Sequence, residues 1–394
     1  MNERLARVAL SRLGEPGDPR LSSLVADLGA EQVCACLGEE RGVAGMATEV
    51  AERLRGLDPV SDLERAAAQG IRFLVPGDAE WPAGLGDLDR AGPLNGRGGA
   101  PLGLWVRGAG RLAGTCARSV AIVGSRSATT YGVAVAGELG AHLAGAGVSV
   151  VSGAAFGIDQ AAHRGALAAR GPTVAVLACG VDRAYPAAHR DLLGYIAETG
   201  LIVSEVPPGC APTRLRFLSR NRLIAAMSLG TVVVEAALRS GALNTASWAS
   251  LVNRTVMGVP GPVTSAPSEG VHELIRSRDA ALVTRGSDVL ELVSPAGSFT
   301  QPIPRAPERR RDRLTEVEQR VLDALPVVRP APASSVARTA GLATGTVEQV
   351  LHGLVRRRFV ARTTAGWLLE PDGPVAAGGR PDGAVASGGG RRPE

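Results

Sequence analysis

Three short segments of the chain carry residue types that can hold a phosphorylated ligand. In 120-VAIVGSRSATTYG-132, four apolar residues give way to Gly124, Ser125 and Arg126. In 149-SVVSGAAFGIDQAAH-163, a second apolar run opens into a loop bounded by Gly153 and Gly157. In 212-PTRLRFLSRNRLIAA-226, Arg214, Arg216, Arg220 and Arg222 fall within nine positions, with Phe217 among them and Asn221 between the last two. An apolar run of four that is stopped by glycine reads as a buried strand rather than a helix. Where such a strand turns through small residues into a helix, the unpaired N–H groups of the helix N-terminus form a site for an anion. Arg126 brings a forked, permanently charged donor to that turn.

The third segment has two readings. Arginines interleaved with an aromatic suit a single strand of nucleic acid, because phosphates need charge and unstacked bases need a π-face. The plainer reading is a helix start with solvated arginines and Phe217 as core filler. Beside Arg126 and the two glycine loops, the nucleic-acid reading is the stronger, although charge alone does not choose DNA over RNA.

Composition removes several alternatives. The chain has 394 residues and a net charge of +5, and all 43 of its basic residues are arginine, since no lysine occurs. A P-loop ATPase needs its phosphate lysine and Schiff-base chemistry needs an amine, so both are excluded. The G-x-G-x-x-G fingerprint is missing after Val123, and no acidic residue stands where a ribose would be held, which argues against a nicotinamide enzyme. The five cysteines make no disulfide framework, and Cys34 and Cys36 have no partner pair that would read as zinc ligands. Neither a cofactor nor a metal is expected. No apolar stretch is long enough to span a membrane and the start, MNERLARVAL, lacks a secretory pattern, so a cytoplasmic protein is expected.

The elements that must position these residues follow from periodicity. Residues 1–70 show short helical patterns broken by Gly and Pro, with no strand-like run, and read as a small helical domain. Residues 71–300 alternate helical patterns with apolar runs at 120, 149, 173, 201, 231, 255 and 281. Nearly continuous apolar strands separated by helices predict an α/β, doubly wound, mostly parallel sheet, with its ligand beyond the carboxyl ends of the strands. Residues 301–313 form a Pro/Arg-rich linker. Residues 314–370 give three helices and a hairpin, the order of a winged helix, and the Gly/Pro-rich tail 371–394 is expected to be disordered.

The motifs GSR at 124–126, SGAAFGID with AAH at 152–163, CGVDRAYP at 179–186, FLSRNRLIAA at 217–226, VVVEAALRSGALNTA at 232–246 and GVPGPVTSAPSEGVHELI at 258–275 occur in order. This series resembles the DprA (Smf) family of DNA-processing proteins over residues 75–290 or so. The resemblance implies an extended Rossmann-like fold, with the SAM-like helical domain and the winged helix that some members carry at their ends. It implies a homodimer that binds and protects single-stranded DNA without catalysis and helps load the RecA recombinase during transformation. Carried over by position, the phosphate-contacting triplet is Gly124, Ser125 and Arg126, and the basic residue before the aromatic is Arg214, where relatives have lysine. Leu218 stands in place of a proline and His189 in place of an asparagine. The dimer surface implied by the resemblance is Val271, His272, Leu274, Ile275 and Leu282, whose apolar members have the alternative of simply closing the end of the sheet.

Two other classes compete. The stretch 230-GTVVVEAALRSGALNTA-246 resembles the Gly-Thr-x-x-Glu element of the lysine-decarboxylase-like nucleotide hydrolases, with Glu235, one residue further along than that spacing, as the acid that assists cleavage of an N-glycosidic bond. The Pro-Gly-Gly run of those enzymes is absent before Gly230. A sequence-specific regulator acting through the winged helix leaves the large sheet domain without a task. Of the single residues, His163 reads as a structural hydrogen-bonding group, Asp159 as a carboxylate favoured by a helix dipole, Tyr185 and Pro186 as rim packing, and Asp182 with Arg183 as a local pair.

Overall fold

Nine strands form one sheet: Ile71–Leu74 (β1), Leu104–Arg107 (β2), Ser119–Val123 (β3), Ser149–Ser152 (β4), Thr173–Val176 (β5), Leu201–Ser204 (β6), Gly230–Val233 (β7), Thr255–Gly258 (β8) and Ala281–Leu282 (β9). Their order is β1-β2-β6-β5-β4-β3-β7-β8-β9. The structure is a computed structural model that describes residues 2–38, 48–277, 279–299 and 309–370. The chain divides into two compact units, Met1–Pro302 and Ile303–Glu394. The tail 371–394 and the linker residues 301–308 lie outside the described residues.

All seven apolar runs expected as strands are strands, and they pair in parallel from β3 through β9. Every residue of β3, β4, β5, β6 and β7 is buried, because helices cover both faces of the sheet. Along β3 the faces alternate. Val120 and Ile122 pack with Leu139, Leu143 and Ile158, whereas Ala121 and Val123 pack with Leu223 and Trp248. The two strands not anticipated, β1 and β2, are antiparallel to each other, and β2 is antiparallel to β6. Arg72 and Arg107 interrupt their apolar runs, so neither carries the signature of a fully buried strand.

Among the described residues, five helices precede the sheet: Glu3–Leu13 (α1), Pro19–Leu28 (α2), Ala30–Gly38 (α3), Thr48–Arg55 (α4) and Pro59–Ala67 (α5). They enclose their own apolar cluster around Leu10, Leu21 and Val33, while Val8 and Ala66 join Phe73 and Trp105 at the β1–β2 end of the sheet. Between strands lie Asp87–Arg90 (α6), Leu112–Ala117 (α7), Thr130–Gly145 (α8), Ile158–Ala168 (α9), Arg190–Thr199 (α10), Arg214–Ala226 (α11), Gly241–Leu251 (α12) and Ala266–Arg276 (α13), with Gly286–Val293 (α14) after β9.

The second unit holds Glu316–Asp323 (α15), Ala333–Ala340 (α16) and Thr344–Arg356 (α17), then an antiparallel hairpin of Val360–Thr363 (β10) and Gly366–Leu369 (β11). A capping box between Thr315 and Glu318 starts α15. Val321, Leu351, Leu354 and Trp367 share one core.

Candidate nucleic-acid interface

The strand order reverses at β3: β4, β5 and β6 continue on one side and β7, β8 and β9 on the other. Such a switch point leaves a crevice beyond the strand ends. An open cavity of about 850 Å³ lies there, between the turn after β3, the segment after β7 and the first turns of α11.

The turn after β3 is held from beneath. Ser125 N–H donates to the Glu235 carbonyl at 2.7 Å, and Ile158 N–H donates to the Ser125 carbonyl at 3.2 Å. Gly157 starts α9 with φ at 75°, and a Cβ there would run into the backbone of Ser125 and Arg126, so only glycine lets the two loops touch. Gly153 lies against the Arg220 guanidinium, to which its carbonyl offers an acceptor at 2.7 Å. Buried His189 braces the same loop, with Nδ1 at 3.0 Å from the Ala154 carbonyl.

Thr213 caps α11 by accepting from Arg216 N–H at 3.2 Å. Arg214, Phe217, Asn221 and Ile224 recur at helical spacing and line the cavity. The Arg126 guanidinium carbon sits 4.7 Å from the Phe217 ring centroid, Arg220 lies at 5.7 Å, and the Tyr185 ring is 5.7 Å away. Tyr185, expected as rim packing, is exposed and lines the cavity. Asn221 ties α11 to α12 by donating to the Gly241 carbonyl at 3.3 Å and to Asn244 Oδ1 at 3.1 Å.

The arginines of α11 separate into different roles. Arg214 is exposed at the cavity mouth. Arg220 is buried at the floor, donating to the carbonyls of Gly153 and Val176 at 2.7 and 2.8 Å. Burial pushes its pKa down, and burial likewise pushes the pKa of the neighbouring Asp159 carboxyl up, with the attraction between the two opposing both shifts. Arg216 turns away to Glu15, and Arg222 is wholly buried against Glu205 at 2.8 Å. Neither lines the cavity, so the sequence expectation that all four arginines meet one ligand is corrected: a helix cannot point residues 214, 216, 220 and 222 to one side.

Arg239 escaped the sequence reading. It lies in the cavity wall with Ser240 and Gly241, at the start of α12, where the Ser240 hydroxyl accepts from Ala242 N–H at 3.3 Å. Its signal was the Arg-Ser-Gly before a helical pattern. Arg126, Arg214 and Arg239 are all exposed and none forms an ion pair among the described residues. Three unpaired guanidinium groups in the wall of one cavity, with an aromatic ring in the same wall, can hold phosphates and stack a base.

The other singled-out residues are structural. Glu235 is buried outside the cavity lining, with its carboxylate accepting from Thr129 N–H at 2.9 Å and from the Thr129 hydroxyl, so it anchors the start of α8. His163 is buried with Nδ1 at 2.7 Å from Thr173 Oγ1, and burial pushes its pKa down to about 3. Asp182 and Arg183 do not pair with each other. They grip Gly209 from its N–H at 3.0 Å and its carbonyl at 2.8 Å. Of the expected dimer residues, Val271 is core, His272, Leu274 and Ile275 are half-buried, and Leu282 is 54% exposed on the edge strand β9.

A sequence profile described as DNA recombination-mediator protein A matches residues 72–294, more than half of the chain. The chain belongs to this family. The match begins within β1 and ends just past α14, so the whole sheet and the cavity lie inside it, whereas α1 to α5 and the second unit lie outside. The chain is 45% identical over 342 residues to a DNA processing protein DprA of Mycobacterium tuberculosis, covering 84% of this chain and 86% of that one. It is 38% identical over 226 residues to Protein Smf of Escherichia coli, covering 57% of each. The X-ray structure of DNA processing protein A (DprA) from Streptococcus pneumoniae superposes with a TM-score of 0.61 at 29% identity, over 75% of this chain and 98% of that one.

Proposed function

We propose that this protein binds single-stranded DNA along the cavity at the β3–β7 switch point, without catalysing a reaction on it, and presents it to a RecA-type recombinase. The observation that carries the reading is the set of three unpaired guanidinium groups, Arg126, Arg214 and Arg239, that line one cavity with the half-buried ring of Phe217, Arg126 lying against that ring. Duplex DNA hides its base faces, so a stacking platform between phosphate sites selects an unpaired strand. Membership of a DNA recombination-mediator family supports DNA over RNA. The position of Glu235 supports a non-catalytic site, because both the carboxylate and the backbone carbonyl of the acid that the hydrolase reading needs are engaged in holding α8 and the Gly124 turn.

Two finer parts belong to the same reading. A two-fold dimer forms around α13 and β9, supported by the free outer edge of β9 and the exposed Leu282. The second unit acts as a winged-helix module, supported by its order of three helices and a hairpin.

The test is a binding series with single-stranded DNA, end-closed duplex DNA and RNA across a range of salt. The reading expects tightest binding to single-stranded DNA, with a steep loss of affinity as salt rises. Equal affinity for the closed duplex would overturn it.

A further inference from the structure

α11 has two working faces. Arg214, Phe217 and Asn221 face the cavity, while Arg216, Ser219 and Arg222 face the loop between α1 and α2. That loop meets α11 at three successive residues. Glu15 takes a bidentate pair from Arg216, with Nε at 2.9 Å and Nη2 at 2.8 Å. The Pro16 carbonyl accepts from Ser219 Oγ at 2.6 Å. Gly17, with φ at 67°, lies over the Arg222 guanidinium, and a Cβ there would stand 3.0 Å from Nε. The far side of the loop is tied down as well, because the Gly17 carbonyl accepts from Gly98 N–H at 3.0 Å.

We propose that Glu15, Pro16 and Gly17 form a positioning clamp that fixes the rotation of α11, so that the N-terminal helices set the affinity of the cavity for single-stranded DNA without touching the strand. The inference rests on the single-strand reading of the cavity. Its physical basis is the geometry of the helix. Arg216 and Phe217 are neighbours in sequence and about 100° apart around the axis, so a grip on one face sets the direction of the other. A turn of about 20° moves a ring about 6 Å from the axis by about 2 Å, enough to uncouple Phe217 from a base held by phosphates on either side. Arg222 is buried against Glu205 about two turns further along, so the first turns of α11, which carry Phe217, are the part left for Glu15 and Pro16 to position. The Glu15–Arg216 pair closes the clamp at its solvent side, where it can be altered without opening the core.

The experiment uses the full chain and a short oligodeoxythymidylate carrying one 2-aminopurine, whose fluorescence reports stacking. Simple electrostatics predicts that Glu15→Gln, which removes a negative charge, strengthens binding to DNA. The clamp predicts the opposite: affinity falls about three- to tenfold and the stacking signal diminishes, with the salt slope unchanged. The exchange Glu15→Arg with Arg216→Glu restores the pair and therefore returns affinity and stacking to the parental level, also if Glu15→Gln alone folds poorly. Parental binding matched or exceeded by Glu15→Gln overturns the clamp and leaves the single-strand reading standing, as does failure of the exchange to rescue. Absence of single-strand binding by the parent removes both.

Discussion

The guanidinium carbon of Arg126 lies 4.7 Å from the ring centroid of Phe217, so the proposed phosphate donor after β3 and the proposed stacking platform of α11 are in contact in the free protein. A cation over the face of a Phe ring is attracted by its quadrupole. The contact parks the Arg126 side chain over the surface that a base would occupy.

Binding therefore requires Arg126 to leave the ring for a phosphate while a base takes its place, and the two residues act as a unit. Arg126→Ala and Phe217→Ala should each cost about 1.5–3 kcal/mol of single-strand affinity. The double variant should lose clearly more than the sum, because each single change already removes the contact that binding must break, with an interaction of at least about 0.5 kcal/mol in the cycle. Strict additivity, measured by anisotropy with a short oligonucleotide, would show that the two sites work independently.

Charge and stacking should separate in their salt dependence. Arg214→Ala and Arg239→Ala should each reduce the slope of log K against log salt by about 0.7, the value for one phosphate of a single strand. Phe217→Ala should leave that slope unchanged while weakening binding. Arg222→Ala is a different case, since it leaves Glu205 buried without its partner. Its expected effect is a loss of fold stability of about 3–5 kcal/mol, read from urea unfolding.

The sheet was legible because parallel strands buried on both faces announce themselves as apolar runs, and the glycine loops after β3 and β4 follow from the same pattern. The division of labour on α11 was not legible. Four arginines in nine positions look equivalent until the loop carrying Glu15 is placed, and that loop contacts Arg216 from 201 residues away in the sequence. Arg239 was hidden for a similar reason. It shares a cavity with Gly124 because β3 and β7 pair in parallel, a long-range register that local periodicity does not encode. Glu235 looked like chemistry because its stretch resembles an element of the nucleotide hydrolases, and its structural role appears only when Thr129 is brought to it across the same strand pair.

His163 gives the fold a defined response to acid. It is neutral when folded, with a pKa near 3, against an ordinary value of 6.5 in the unfolded chain. The unfolded state thus takes up a proton first as pH falls, and stability contributed by this site is fully present above about pH 6.5 and lost below it. Between pH 7 and pH 5 the loss should be about 2 kcal/mol, from about 1.4 kcal/mol per pH unit. Urea midpoints at the two pH values check this. His163→Gln should be less stable at pH 7 but show a clearly shallower decline, and an equal decline in both proteins would assign the pH response to other groups.

The last prediction concerns assembly. β9 is two residues long and among the described residues pairs with β8 alone, which leaves its outer edge unpaired there, and Leu282 stands exposed while Leu274 and Ile275 of α13 are half-buried. Val271 is committed to the core and cannot contribute. A two-fold contact through this edge would cover Leu282 and place two cavities on one assembly, and two linked sites hold a long strand more tightly than a short one that reaches a single cavity. Leu282→Glu should then yield a folded monomer by sedimentation, with unchanged affinity for an oligonucleotide that fills one cavity and affinity for a long strand reduced by at least about tenfold. If the parent sediments as a monomer at micromolar concentration both free and with a long strand, β9 is a plain sheet edge and Leu282 should tolerate the charge without effect on binding.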